Sequence, residues 1–180
     1  EFLSDYGIRS LSKYHKENPY TFNLHGENLS VVYTPGESDL SIMGGNSTWR
    51  GPVWFPLNYL IIDSLLKFDQ YYGDDYEVEY PTNSGNVMSI KEAAMKISER
   101  LISIFKRNQS NERPAMTATN GVFEKDQHFK DLYLFFEYFH GDDGSGLGAS
   151  HQTGWTGLVA DLIEHVSAFK KNKRKACPRP

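Results

Sequence analysis

The sequence has one cysteine, no long apolar run and few basic residues outside its last eleven positions. Its single cysteine, Cys177, excludes an internal disulfide framework and a zinc site built on several cysteine ligands. The longest apolar stretch, residues 53–66, is interrupted by polar residues and is too short to cross a bilayer. At 180 residues, with 14% aromatic side chains, the chain is predicted to form one globular domain without a membrane partner.

Positive charge is concentrated at the C-terminus. Six of the 19 basic residues lie in the last eleven positions, so the rest of the chain is acidic although the net charge is only −4. An acidic surface repels phosphate groups, and we therefore expect no nucleic-acid partner. We predict a domain over residues 1–170 and a basic, disordered tail over residues 171–180, with a nuclear address or a polyanion contact as the alternative for the tail.

Motifs for metals and nucleotides are also missing. The six histidines never adopt the spacing of a zinc site, and the turn at Asp142-Asp143-Gly144 lacks the remaining ligands of a calcium loop. The glycines at 144, 146 and 148 are not followed by the Lys-Ser/Thr of a phosphate loop. We predict no metal ion and no cofactor.

Three segments have the apolar spacing of helices. Segment 53–72 is apolar on nearly every face and is predicted to be a helix buried all round. Segment 89–105 begins with a Ser-x-x-Glu capping box and is predicted to be a surface helix, and segment 153–171, capped by Thr153, is predicted to be the last helix. The turn at residues 25–28 separates two strand-like segments and predicts a short β-hairpin near the N-terminus.

Segment 44–54 (GGNSTWRGPVW) places two indoles and a guanidinium directly before the first helix. Indole faces pack on the C–H faces of sugar rings, while Arg50 can reach hydroxyl groups, so the segment favours a neutral polyhydroxylated ligand. The alternative from spacing alone is that Trp49 and Trp54 are core anchors and that Arg50 pairs with a buried carboxylate.

Glu137 is the one carboxylate within an aromatic run, residues 132–139, that could be a strand or a helix end. Apolar surroundings favour proton transfer by a carboxyl group near neutral pH, so Glu137 is a candidate general acid or base. The alternative is a glutamate that points to solvent from an edge strand. His151 and Gln152, just before the last helix, could face the same cleft, although a single histidine is more often a structural hydrogen-bonding group.

Four motifs, in this order and spacing, resemble the C-terminal part of glycoside hydrolase family 63: YTPGES at 33–38, GGNSTWRGPVWFP at 44–56, FEYFHG at 136–141 and GLGASHQTGWT at 146–156. The resemblance is greatest to the large cytosolic bacterial and fungal members, and the family also includes processing α-glucosidases and mannosylglycerate hydrolases. It implies a mainly α fold, part of an (α/α)6 toroid of the six-hairpin glycosidase type, with long loops.

The resemblance also implies an inverting hydrolase that acts on an oligosaccharide or a small α-glycoside, either an α-glucoside or an α-mannoside. Glu137 matches the general base of the family. The residues that match its substrate cleft are Trp49, Arg50, Trp54, His151, Gln152 and Trp155.

No residue of this chain matches the general acid of the family, an aspartate in an earlier motif. We therefore expect a fragment: an incomplete barrel, inactive alone, that needs the remainder of its parent chain. A cytoplasmic location is expected, with the endoplasmic reticulum lumen as the alternative. Two other functions remain open, namely an inactive carbohydrate-binding or regulatory module of the same fold and a helical partner-binding protein that uses the stripe of residues 90–105.

Overall fold

The computed structural model describes residues 1–38, 48–73, 76–118 and 121–176, and it combines helices with short strand pairs. The predicted glycine-rich residues 44–47 and the tail residues 177–180 lie outside the described residues. The helices within the described ranges are α1 (Phe55–Tyr72), α2 (Ile90–Ser103), α3 (Val122–Lys125), α4 (Thr153–Thr156) and α5 (Val159–Ala176), and 3₁₀ turns cover Lys13–Lys16 and Pro114–Met116. None of the helices in these ranges is long and apolar enough to span a membrane.

The strands of the described residues form two-stranded antiparallel sheets. The pairs are β1 (Leu3–Ser4) with β2 (Gly7–Ile8), β3 (Tyr20–Leu24) with β4 (Glu27–Val31), β5 (Glu77–Glu79) with β6 (Val87–Ser89), and β7 (Tyr138–Phe139) with β8 (Gly146–Leu147). The fold is therefore mixed rather than mainly α, because glycine and other turn residues close several local hairpins where the sequence predicted one.

The N-terminal hairpin is confirmed. His25 and Gly26 form its two-residue turn with φ values of 52° and 89°, and positive φ at both positions matches the right-handed twist of the paired strands. The aromatic run at 132–139 is extended, and its last two residues form β7.

Helix α1 buries one side only. Phe55, Asn58 and Ile62 face the core, whereas the opposite side exposes large apolar residues: Leu57, Leu60, Ile61 and Phe68. The prediction of burial all round was wrong for this chain, because α1 packs against α2 and α4 and, within the described residues, no element covers its outer side. This side of α1, defined by these four residues, is called the outer face below.

Helix α2 buries its apolar stripe and leaves Lys91 and Lys96 exposed, as predicted for an amphipathic surface helix. Its cap is confirmed, since the Ser89 hydroxyl accepts a hydrogen bond from the Glu92 backbone N–H at 3.2 Å. The small residues Ala94 and Ser98 are fully buried, which allows α1 and α5 to pack closely on either side. Salt bridges from Lys170 to Glu99 and from Lys173 to Glu92 connect α5 to α2 at the protein surface.

The predicted last helix is divided into α4 and α5. Gln152, not Thr153, occupies the N-cap position of α4, and the Thr156 hydroxyl donates to the Phe136 carbonyl oxygen at 2.5 Å. This bond ties the short helix to the strand that follows Phe136. Helix α5 then buries Leu162 and continues to Ala176, six residues beyond the predicted domain boundary.

Val53 joins the N-terminal strands to β7. Its N–H donates to the Phe139 carbonyl at 2.8 Å and its carbonyl accepts from the Phe139 N–H at 3.0 Å, while its other edge pairs with Arg9. Val53 and Phe139 are both completely buried. Consequently the start of α1 lies directly beside β7.

An ionic network fixes the loop that follows β7. One oxygen of Asp142 accepts hydrogen bonds from the Arg9 guanidinium at 2.8 Å, the Tyr33 hydroxyl at 2.9 Å and the Lys13 ammonium at 3.2 Å. Burial alone would raise the pKa of Asp142, but these hydrogen bonds outweigh it and hold the pKa below the ordinary value of 3.8. The network connects the N-terminal segment, residue 33 and the β7–β8 loop.

We expect Asp142→Asn to lower the free energy of unfolding by about 1–3 kcal/mol at pH 7, because two cationic partners lose their counter-charge. A carboxyl whose folded pKa is depressed stabilises the fold above its unfolded pKa, and this stabilisation disappears as the pH falls through the folded value. The difference between wild type and variant, measured by urea unfolding, should therefore shrink below pH 3.8. Asp5→Asn, at a side chain that is 91% exposed, is the control and should change little. A difference that is constant with pH would contradict this account.

Candidate functional site

Four rings from three separate segments form one cluster around Trp54. The Trp49 and Trp54 ring centroids are 4.2 Å apart with planes at 4°, and Tyr138 stacks at 4.6 Å from Trp54. Trp155 on α4 lies 5.6 Å from Trp54 at a tilt of 55°. We call Trp49, Trp54, Tyr138 and Trp155 the indole cluster. Because Trp54 is only 4% exposed and Trp155 is 37% exposed, Trp54 anchors the cluster and Trp155 presents ring surface.

Local backbone structure explains the position of Trp54. It is the N-cap residue of α1, in an extended conformation set by the pairing of Val53 with Phe139. In an antiparallel pair, the residue after Val53 lies opposite the residue before Phe139, so Trp54 faces Tyr138. The indole N–H of Trp54 donates to the Thr48 carbonyl at 3.3 Å, which holds the 48–54 segment folded over the ring.

Glu137 lies next to the indole cluster with its carboxylate fixed. The Ala149 N–H donates to Glu137 Oε2 at 3.1 Å, and the Glu137 N–H donates to the Ala149 carbonyl at 2.9 Å. The side chain is partly buried between the buried residues Phe136 and Tyr138. The carboxylate therefore contacts the loop after β8.

Gly148 is the point at which Glu137 and the indole cluster meet. A Cβ at this glycine would lie 2.7 Å from Glu137 Oε2 and 2.6 Å from Tyr138 Cε1, so both side chains contact its backbone. Its φ of +69° also lies in the left-handed region that favours glycine. The Glu137 carboxylate and the Tyr138 ring thus lie close to the same glycine.

Sequence reasoning assigned no role to Glu37. Its Oε2 accepts a hydrogen bond from the Tyr138 hydroxyl at 2.7 Å, and its Oε1 accepts from the Gly148 N–H at 3.1 Å. Burial raises the pKa of Tyr138, and the hydrogen bond to Glu37 raises it further. Since 101 residues separate Glu37 from Tyr138, only its place in the YTPGES motif could have drawn attention to it.

The predicted ligand residue Arg50 is held inside the chain. It is 4% exposed, and one guanidinium nitrogen donates to the Ser38 hydroxyl at 3.0 Å. Its carbonyl accepts from the Thr34 N–H at 2.7 Å. Arg50 therefore connects the segment that carries Trp49 and Trp54 to residues 34–38, and its contact with a ligand stays a prediction.

His151 and Gln152 lie where α4 begins. The Gln152 N–H donates to the Phe135 carbonyl at 2.6 Å, and its own carbonyl accepts from the Trp155 and Thr156 N–H groups. The exposed His151 ring packs edge-on against Phe135 at 6.0 Å. Gln152 thus sets the position of Trp155 through its backbone, and both His151 and Gln152 contact Phe135, two residues before Glu137.

The structure brings most of the predicted site residues to one region of the surface. Glu137, Trp49, Trp54 and Trp155 are connected through Tyr138 and Gly148, with Arg50 behind the cluster and His151 and Gln152 at its edge. Within the described ranges, no group of three or more His, Cys, Asp or Glu residues could hold a metal ion. A fixed carboxylate beside aromatic ring surface can accept a proton next to a bound neutral ligand.

Comparison with known proteins gives distant matches to glucosidases. No family model matches the chain. It is 49% identical over 167 residues to the uncharacterized protein YMR196W of Saccharomyces cerevisiae, and 26% identical over 163 residues to a probable mannosyl-oligosaccharide glucosidase of Schizosaccharomyces pombe. It is also 28% identical over 115 residues to a mannosyl-oligosaccharide glucosidase of Saccharomyces cerevisiae. The similarity to the two glucosidases is thus weak and, for the second, partial.

The alignments cover most of this chain and little of its relatives. They include 92%, 91% and 64% of the chain, respectively, but only 15%, 14% and 11% of the three relatives. The chain therefore spans about one seventh of the length of the first two relatives. Two of the three relatives are glucosidases by name, one of them as a probable glucosidase.

We expect Gly148→Ala to destabilise the protein by about 2–4 kcal/mol, since the new methyl group adds an overlap with two side chains to the cost of positive φ. Gly85→Ala is the matched control, because Gly85 has a φ of +75° and nothing within 4 Å of its Cβ position. The control should lose only about 1 kcal/mol. Urea unfolding of both variants measures the difference. Equal losses of stability in the two variants would contradict the close packing of Glu137 and Tyr138 against Gly148.

Proposed function

We propose that this chain belongs to the catalytic domain of a glycoside hydrolase of family 63 and carries the general base, Glu137, and part of the sugar cleft. The reaction is hydrolysis of an α-glucoside or an α-mannoside with inversion. The observation that carries the proposal is the carboxylate of Glu137, which accepts a hydrogen bond from the Ala149 N–H and meets at Gly148 the Tyr138 ring that stacks on Trp54. The distant similarity to two mannosyl-oligosaccharide glucosidases supports the same reaction class.

In this mechanism Glu137 takes one proton from a water molecule that attacks the anomeric carbon. The new bond forms between the water oxygen and the anomeric carbon as the bond to the leaving oxygen breaks on the opposite face. The leaving oxygen keeps the electron pair and receives a proton from a general acid. The Ala149 N–H, at 3.1 Å, orients one oxygen of Glu137, so the other oxygen remains available for water.

The indole cluster supplies the binding surface for the sugar ring. Flat indole faces match the C–H faces of a pyranose, and the exposed part of Trp155 together with the half-buried Trp49 offers such a surface in the same cluster as Tyr138, the residue after Glu137. In the proposal, Arg50, Gln152 and His151 complete the cleft through hydroxyl contacts. Arg50 contributes mainly by holding the 48–54 segment, because its guanidinium is buried and bonded to Ser38.

The general acid comes from another part of the parent protein. No aspartate of this chain matches the acid motif of the family, and the relatives are several times longer than the aligned region. The proposed (α/α)6 toroid also needs more helices than the three long ones of the described residues. In the proposal the chain alone is inactive, the remaining helices cover the outer face of α1, and the parent protein acts in the cytoplasm.

We expect Glu137→Gln in the parent protein to lower kcat by about 10²–10⁴-fold, because glutamine cannot accept the proton from water. An activated aryl α-glycoside should show the same loss as a natural substrate, since a good leaving group replaces a general acid but not a base. Glu77→Gln, at an exposed strand residue, is the control. Steady-state kinetics and calorimetry with a substrate sugar measure turnover and binding separately. Near-normal turnover with retained sugar binding would instead favour a binding module.

A second test concerns the outer face of α1. Leu60 is 60% exposed, so Leu60→Glu should change the stability of this chain by less than about 0.5 kcal/mol. In the parent protein the same charge would be buried against other helices and should cost about 3 kcal/mol or more. Gln70→Glu, at another exposed position of the same helix, is the control and should be neutral in both proteins. Equal effects of Leu60→Glu in the two proteins, measured by urea unfolding, would contradict the packing of further helices on this face.

A further inference from the structure

The side chain of Glu37, which is not part of the β7–β8 hairpin, bridges β7 and the residue that follows β8. One carboxylate oxygen accepts the Tyr138 hydroxyl hydrogen from β7, and the other accepts the N–H of Gly148, the residue that follows β8. Tyr138 pairs with Leu147 across the same hairpin. Glu37 therefore adds a second connection between β7 and the residue that follows β8. We propose that Glu37 is a positioning residue that fixes both Glu137 and the indole cluster, an inference that rests on the function proposed above.

Two short paths lead from Glu37 to the site. Through Gly148, it holds the loop whose next residue, Ala149, donates its N–H to Glu137 Oε2 at 3.1 Å. Through the Tyr138 hydroxyl, it holds the ring that stacks 4.6 Å from Trp54. One carboxylate thus sets the orientation of the base and the position of the sugar-binding surface relative to each other.

Glu37 is itself on a fixed segment. The Pro35 carbonyl accepts the Gly141 N–H at 2.8 Å, and a Cβ at Gly36 would lie 2.9 Å from the His140 ring. Tyr33, four residues before Glu37, belongs to the network of Arg9 and Asp142. Residues 33–37 therefore run alongside the β7–β8 loop and contact it at several points, so the position of the Glu37 backbone is determined by the fold.

In this bridge the residue at position 37 must accept two hydrogen bonds, one from each partner. The Tyr138 hydroxyl and the Gly148 N–H are both donors, and an ionised carboxylate accepts through both oxygens. A glutamine has one acceptor oxygen, which can satisfy Gly148, while its NH₂ group can only donate toward the Tyr138 oxygen. Glutamine is therefore a partial substitute, and alanine removes both bonds. The raised pKa of Tyr138 agrees with a hydroxyl that stays protonated and donates.

The test compares Glu37→Ala, Glu37→Gln and the control Glu27→Ala in the parent protein with an aryl α-glycoside. Displacement of a reacting group by about 1 Å costs about 100-fold, so we expect Glu37→Ala to lower kcat/KM by about 10- to 100-fold. Glu37→Gln should keep more activity than Glu37→Ala. The control, at an exposed residue in the β3–β4 hairpin, should stay within about twofold of wild type. Far-UV and near-UV circular dichroism report whether each variant is folded.

A double variant with Glu137→Gln separates positioning from general stability. If Glu37 acts by orienting the base, Glu37→Ala should lower kcat by less than about threefold when Glu137 is already glutamine, because the oriented group is absent. A purely structural role would give the same factor on both backgrounds, and this result would overturn the proposal. A loss from Glu37→Gln as large as that from Glu137→Gln would also overturn it, because Glu37 would then take part in proton transfer.

Tyr138→Phe tests the ring side of the bridge and serves where Glu37→Ala does not fold. It keeps the stacked ring and removes only the hydroxyl, so KM should rise more than kcat falls, as sugar binding loosens. Unchanged kinetics in both Tyr138→Phe and Glu37→Gln would overturn the proposal. If Glu137→Gln itself retains activity, the proposed function fails. If Glu137→Gln is inactive and the Glu37 variants are normal, only the role of Glu37 fails.

Discussion

Two backbone hydrogen bonds between Val53 and Phe139 determine where the site forms. They join segments that are 86 positions apart, and both residues are completely buried, so the pairing cannot shift by one position without moving an entire face of the core. The antiparallel register puts Trp54 opposite Tyr138 and starts α1 directly after Trp54. Glu137 precedes Tyr138 in the chain, and its carboxylate meets the Tyr138 ring at Gly148.

The β7–β8 hairpin is held at two places by carboxylates, Asp142 in its loop and Glu37 at its strands. On one side, Asp142 accepts hydrogen bonds from Arg9, Lys13 and Tyr33, and its depressed pKa keeps it ionised across the physiological range. On the other side, Glu37 binds Tyr138 and Gly148 near the surface. Because both contacts come from segments before α1, the N-terminal quarter of the chain acts as a frame for the β7–β8 hairpin, which Glu137 directly precedes.

Local features were predictable from sequence, and long-range ones were not. The hairpin turn at His25-Gly26 and the cap at Ser89 follow from residue chemistry within four positions, and both predictions are confirmed. Burial depends on which elements pack together, and this explains the error for α1: apolar periodicity does not reveal whether a helix face meets this chain or solvent. Glu37 could be connected with Glu137 only through its motif, because Glu37 bonds Tyr138 and Gly148 from more than 100 positions away.

The outer face of α1 and the proposed division of catalytic groups lead to the same conclusion. An inverting glycosidase keeps its two carboxyl groups about 6.5–9.5 Å apart, with water on one side of the sugar and the leaving oxygen on the other. In the proposed function this chain supplies only one wall of such a cleft, with Glu137 and the ring surface of Trp155 and Trp49, and a second wall is needed to exclude water. Helices that cover Leu57, Leu60, Ile61 and Phe68 would extend the core around the start of α1, beside Trp54. In that arrangement, burial of an apolar helix face and assembly of the acid–base pair occur together, so stability and activity would depend on the same contact.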